Sequence, residues 1–145
     1  MTAQFRHRTR VEVQFRDIDA MGHVNNAVTA SYIEQARVSY LGDTLEVDPF
    51  GEMELILAMV KIDYTAPIFF GQEVAIDTRV DWIGRSSFGM SHRLTAGVDG
   101  HEVARADAVL VAYDYEHGRS KPVPDAWRAT LATHEGHALD RVIAL

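Results

Sequence analysis

Polar and apolar residues alternate through most of this chain, and one long early stretch departs from that period. Val11, Val13 and Phe15 take turns with Glu12, Gln14 and Arg16, the period of two that marks a half-buried strand. The pattern breaks at Asp17. From Asn26 to about Leu41 there is neither Gly nor Pro, and Tyr32, Ile33, Ala36 and Tyr40 fall on one side of a 3.6-residue wheel, which predicts a long helix. Asn25 or Asn26 supplies the N-cap oxygen and Gly42 is the expected stop. Glu34 and Arg37, three apart, are expected to pair on its outer flank, worth roughly 0.3 kcal/mol.

After a looser stretch from Asp43 to Glu54, the period of two returns and persists. Ile56, Ala58, Val60, Ile62 and Tyr64 form one face of a strand that Pro67 ends. Val74, Ile76, Thr78, Val80 and Trp82 alternate with Glu73, Ala75, Asp77, Arg79 and Asp81 in the clearest strand of the chain. Gly84-Arg85-Ser86-Ser87 turns it back into a strand on which Phe88, Met90, His92, Leu94 and Ala96 share the apolar phase; Asp99-Gly100 marks a hairpin turn. A last strand runs from about Glu102 to Asp114, with Ala104, Ala106 and Ala108 offering a small-residue face that a helix could approach closely. Beyond it lie Pro122, Pro124 and a short helix over Asp125 to Thr133. One helix followed by strands joined through short turns is an α+β arrangement, not a βαβ wind. We therefore expect one domain over residues 1–145, its core at about 8–115 and a C-terminal tail at 116–145. A single helix covers only part of such a sheet, so exposed edges favour self-association.

Composition narrows the function. With 14 Lys and Arg against 21 Asp and Glu, the net charge is −7 and no basic block tracks a phosphate backbone, which argues against nucleic acid. The absence of cysteine removes disulfides, thiolate metal sites and a cysteine nucleophile. No apolar run approaches membrane-spanning length, and Met1 to Arg10 are charged without an apolar segment, so the expectation is a cytoplasmic protein with no membrane partner. His134 and His137 are three apart and form no trusted metal site, and His92 reads as a packed core histidine.

The chemistry sits where the period changes, in Phe15-Arg16-Asp17-Ile18-Asp19-Ala20-Met21-Gly22-His23-Val24-Asn25-Asn26. A carboxylate held a few residues before a helix start lies beside unpaired backbone N–H groups, an arrangement suited to attack on a carbonyl. An Asp-x-Asp pair after a strand also fits an Asx-type turn that serves only its own backbone.

This stretch resembles the aspartate, one residue, aspartate, two residues, glycine, His-Val-Asn-Asn pattern of the hotdog-fold thioesterases of the 4-hydroxybenzoyl-CoA thioesterase type. Ile62-Asp63-Tyr64 through Pro67, Phe70-Gly71-Gln72-Glu73-Val74 and Ile83-Gly84-Arg85-Ser86-Ser87-Phe88 are similar to further stretches of the same family, in the same order. The resemblance implies a hotdog fold, one long central helix packed on a five-stranded antiparallel sheet, and an acyl-CoA thioesterase with no cofactor, coenzyme A being part of the substrate. It implies Asp19 as the catalytic carboxylate, acting as nucleophile or general base, with the Asn26 backbone N–H polarising the thioester and His23 and Asn25 as accessory groups. Asp17 is then the structural turn residue. Gly22, Arg85, Ser86 and Ser87 are implied as substrate-binding, the arginine turn meeting phosphate or the pantetheine arm. Such sites usually lie across the interface of a homodimer, or of a homotetramer built from it, so Arg85 would serve the Asp19 of the partner subunit. Thr29 stands where many relatives carry an aromatic, which alters the acyl pocket and not the chemistry. Other readings are a thioesterase acting on acyl carrier protein, disfavoured by the acidic surface, and a non-catalytic acyl-CoA-binding hotdog protein, which would have no need of Asp19. A hotdog dehydratase would want a histidine on the helix, and none lies between Val24 and Leu41.

Overall fold

Strand β1 (His7–Glu12) leads through a 3-10 turn at Phe15–Asp17 into helix α1 (Asn26–Leu45), and the chain then lays down β2 (Leu55–Tyr64), β3 (Glu73–Ile83), β4 (Ser87–Ala96) and β5 (His101–Asp114). A two-residue strand β6 (Arg119–Ser120) and helix α2 (Asp125–Glu135) follow. This is a computed structural model that describes residues 4–51 and 53–141; the first residues of the charged N-terminus, residue 52 of the looser stretch and the end of the tail lie outside the described residues. The strands pair antiparallel in the order β1-β3-β4-β5-β2, with β6 beside β5, so the expected five-stranded sheet gains a short sixth strand. No helix among the described residues is long and apolar enough to cross a membrane.

Helix α1 lies along one face of the sheet, nearest to β1 and β3. Thr29, Tyr32, Ile33, Ala36, Arg37, Tyr40 and Leu41 are buried on it, and Ala104, Ala106 and Ala108 of β5 are buried in the same core. The larger side chains interdigitate with those of the sheet. The core divides into two apolar clusters. Val13, Tyr32, Ile33, Ile76 and Leu94 belong to the one near the helix start; Tyr40, Val80, Phe88, Met90 and Leu110 belong to the other. Thr78 and His92, paired across β3 and β4, are buried but belong to neither.

Several expectations are corrected. Gly42 does not stop α1, which continues to Leu45 and ends with Glu46 in the left-handed region at φ 55°. The cost of one helical glycine, about 1 kcal/mol, is offset by the buried Tyr40 and Leu41 beside it and by Thr44 Oγ1 donating to the Tyr40 carbonyl at 2.6 Å. Arg37 does pair with Glu34 as expected, Nη2 to Oε2 at 3.9 Å, but it is buried and not on an outer flank. The first strand ends at Glu12, leaving Phe15 exposed and edge-on to Phe70. Two bulges shift the alternation. One at Ala58 puts Leu55 and Leu57, in place of Ile56 and Ala58, on the helix side with Val60, Ile62 and Tyr64. The other, at Asp81, gives the core position to Ile83 and lays Trp82 over Gly89 on the opposite face. Segment 116–141 packs Val123, Leu131 and Leu139 into the second apolar cluster.

Candidate active site

The turn before α1 is built by its own polar residues. The Gln14 N–H donates to Asp17 Oδ2 at 2.9 Å and the Tyr32 hydroxyl donates to the same oxygen at 2.6 Å, so Asp17 is tied both to the turn and to the helix. Burial first, and then this bond to Asp17, raises the Tyr32 pKa well above the usual phenol range. Asp19 opens the next turn. Its Oδ1 accepts from the Met21 N–H at 2.9 Å, its carbonyl accepts from Gly22, and its N–H donates to the His23 carbonyl at 3.0 Å. Asp19 Oδ2 has no hydrogen-bond partner among the described residues. Gly22 sits at φ 87°, where a side chain would be strained, and this lets the chain reverse within four residues.

The reversal delivers Asn25 as the N-cap. Its Oδ1 accepts from the Ala27 N–H at 2.8 Å, and its carbonyl accepts from Val28 and Thr29. Among the first four helical N–H groups, this leaves the Asn26 N–H without a partner among the described residues, at the positive end of a 20-residue helix. Asn26 lines a cavity of about 360 Å³ with His23, Thr29, Tyr64, Pro67 and Ile68. The Val24 N–H donates to the Ile68 carbonyl at 2.8 Å, and the Tyr64 hydroxyl donates to the Asn26 carbonyl at 2.7 Å, bracing the cavity against the end of β2. Partial burial raises the Tyr64 pKa, so the phenol remains a donor. Asp19 is not part of this lining; its N–H bond to the carbonyl of His23, which is, holds it alongside.

The remaining expected residues are elsewhere in the same chain. Arg85, Ser86 and Ser87 form the β3–β4 turn, at the far end of β3 from Val13 and Gln72, so the ten steps of that strand separate them from the Asp19 turn by roughly 33 Å. The turn is braced from α2 by Arg128, whose Nη2 donates to the carbonyls of Gly84 and Arg85 while Nη1 pairs with Asp140 at 3.0 Å. Sequence reasoning did not single out Tyr64 or the Thr65–Ile68 segment as cavity walls. The signal was present, since these residues lie in one of the family-like stretches and Pro67 marks an irregular end. Among the described residues no group of three or more His, Asp or Glu side chains is placed to hold a metal ion.

Residues 13–131 match the profile of the thioesterase-like superfamily. A thioesterase from Thermus thermophilus, complexed with coenzyme A and Zn, is 41% identical, with a TM-score of 0.83 over 91% of this chain and 96% of that one. A thioesterase superfamily structure from Jannaschia sp. CCS1 is 27% identical, with a TM-score of 0.83 over 94% of this chain and 87% of that one. Among curated proteins, the uncharacterized protein YsmA of Bacillus subtilis is 25% identical over 122 residues, covering 84% of this chain and 82% of that protein.

Proposed function

The chain belongs to the thioesterase-like superfamily, and from that premise we propose that it is an acyl-CoA thioesterase in which Asp19 drives cleavage to a carboxylic acid and free coenzyme A. The observation that carries this reading is the unpaired Asn26 N–H at the start of α1, at a cavity beside a carboxylate with one uncommitted oxygen. A thioester carbonyl seated there would receive that N–H and the partial positive charge of the helix start, both aimed at the oxyanion that forms on attack. Asp19 Oδ2 then either adds to the carbonyl carbon, expelling the coenzyme A thiolate and leaving an anhydride for water to open, or takes the proton of the attacking water. Asn25 holds the helix start in place and His23 shapes the cavity wall. The coenzyme A bound to the Thermus relative, at 41% identity, supports the same leaving thiol here.

The reading includes a homodimer formed through β2. That strand is a sheet edge with Leu57, Met59, Val60 and Tyr64 exposed along it. A two-fold antiparallel pairing of β2 with its copy lays the Tyr64 end of one strand against the Leu55 end of the other. Leu55 pairs with Ala112, whose N–H bonds the Ser86 carbonyl, so the partner subunit's Arg85–Ser87 turn comes to the side where Tyr64 and Asn26 sit. The separation within one chain is thereby resolved, and the arginine can meet the phosphates of a coenzyme A whose acyl group enters the other protomer.

The test is thiol release from a panel of aliphatic and aromatic acyl-CoAs, run beside Asp19→Asn. Turnover by the parent with a loss of about 10²-fold or more in the variant is expected. No turnover of any acyl-CoA, or a variant as fast as the parent, overturns the reading.

A further inference from the structure

Arg37 is 7% exposed, one of the most enclosed charged side chains among the described residues, yet no hydrogen bond from its guanidinium is found among them; its nearest acid, Glu34 Oε2, is 3.9 Å off on a largely exposed side chain. A buried guanidinium stays charged and is costly to leave without acceptors. Burial is the main force pulling its pKa down, opposed only by Glu34. The Arg37 charge also acts on His92, whose Nε2 is buried without a partner. The polar seam between the two apolar clusters is therefore short of hydrogen-bond partners, and what it most lacks is an anion.

The place that Arg37 occupies says which anion. It lines a hollow of about 150 Å³ with Ala30, Ser31 and Glu34 of α1 and with Leu57 and Val60 of β2. Asn26, Ala30 and Arg37 follow one another along one side of the helix, and Tyr64, Val60 and Leu57 follow one another along the helix face of β2. The same two elements thus wall the cavity at the Asn26 N–H and the hollow at Arg37. From Asn26 to Arg37 the helix rises about 16 Å. An arginine side chain leaning back over the preceding turn shortens this by about 5 Å. The remaining reach of about 11 Å corresponds to about nine extended backbone-type bonds.

Building on the thioesterase reading, we infer that Arg37 determines specificity by receiving the far end of the acyl group, and that the preferred substrates are acyl-CoAs whose chain ends in a carboxylate about nine bonds from the thioester carbon. Leu57 and Val60 cover the methylenes between, and the guanidinium fork takes the distal carboxylate. A plain alkyl chain of equal length would leave the cation as it is, buried and matched only by Glu34 at 3.9 Å.

The experiment compares decanoyl-CoA with its ω-carboxy counterpart of the same length, by calorimetric binding to the Asp19→Asn protein and by thiol release from the parent. The ω-carboxy compound is expected to bind about tenfold tighter or better. Arg37→Met should abolish that ratio and Arg37→Lys should restore part of it. Glu34→Gln, on an exposed side chain, should raise the ratio about two- to threefold by removing the competing charge. Equal binding of the two compounds, a ratio unmoved by Arg37→Met and Glu34→Gln, or an equal loss on both compounds overturns the inference. A preference in binding without thiol release by the parent would instead overturn the catalytic reading and leave Arg37 as the anchor of a bound ligand.

Discussion

Tyr32 and Asp17 are joined by a 2.6 Å hydrogen bond from the phenol to Oδ2, so the first aspartate of the Asp-x-Asp pair is committed to the helix while the second keeps an oxygen free. The two carboxylates, two residues apart, should therefore fail in different ways. Asp17→Ala strips acceptors from Tyr32 and from the Gln14 N–H and should cost about 2–3 kcal/mol in urea unfolding. Tyr32→Phe should cost about 1–2 kcal/mol. Asp19→Asn should leave the unfolding midpoint close to that of the parent.

His92 should make the protein sensitive to acid. Burial, and then the charge of Arg37, pushes its pKa down to about 3, against an ordinary value of 6.5. Between those values the unfolded chain binds a proton that the folded chain refuses, so this contribution is complete above pH 6.5 and is lost as pH falls toward 3. The expected slope is about 1.4 kcal/mol per pH unit. Urea midpoints collected from about pH 7 to about pH 4.5 should fall accordingly, and should flatten in His92→Leu. The His92 ring resonances should remain those of the neutral form at about pH 5.

Gly22→Ala probes the turn that presents Asp19. No atom lies within 4 Å of the added methyl, so its effect comes from the positive φ alone. A loss of about 1–2 kcal/mol is expected from that strain. If the turn relaxes to relieve it, kcat should fall more than KM rises, because the carboxylate moves relative to the Asn26 N–H while the cavity walls stay in place.

Met59→Glu tests the proposed pairing. Met59 is 43% exposed on an edge strand, on the face away from the helix and the Arg37 hollow, so a charge there should be tolerated by the lone protomer and opposed by a second chain. Gel filtration should shift toward a 16.2 kDa species with thiol release lost alongside. A parent that elutes as a monomer while still turning over acyl-CoA would refute the shared site.

Much of this is readable before any coordinates, for identifiable reasons. Strands β3 to β5 are legible because polar and apolar residues alternate along them, and in β5 burial follows that alternation; in β3 and β4 Ala75, Asp77 and Thr95 on the other face are buried as well, which the alternation does not reveal. The helix start is legible because an asparagine followed by an uninterrupted apolar stripe is a local signal, and capping chemistry is local too. What escapes is non-local. The bulges at Ala58 and Asp81 are settled by the partner strand and shift every residue beyond them. Arg37 reads as a surface residue because Glu34 is its neighbour along the helix, whereas its burial depends on β2, some twenty residues further along the chain. The distance from Arg85 to Asp19 follows from the full length of β3.

The extra residue in β2 has an evolutionary consequence. Because Ala58 interrupts the ladder between Leu57 and Met59, everything from Met59 to Tyr64 keeps its phase relative to β5 whether or not the interruption is present. Taking Ala58 into the ladder would turn Leu57 and Leu55 away from the helix and bring in Ala58 and Ile56, refashioning the distant wall without disturbing Tyr64 or the carbonyl it holds. Appetite for different acyl groups can thus drift in this lineage by gain, loss or migration of one bulge, while the bond-breaking end is inherited intact.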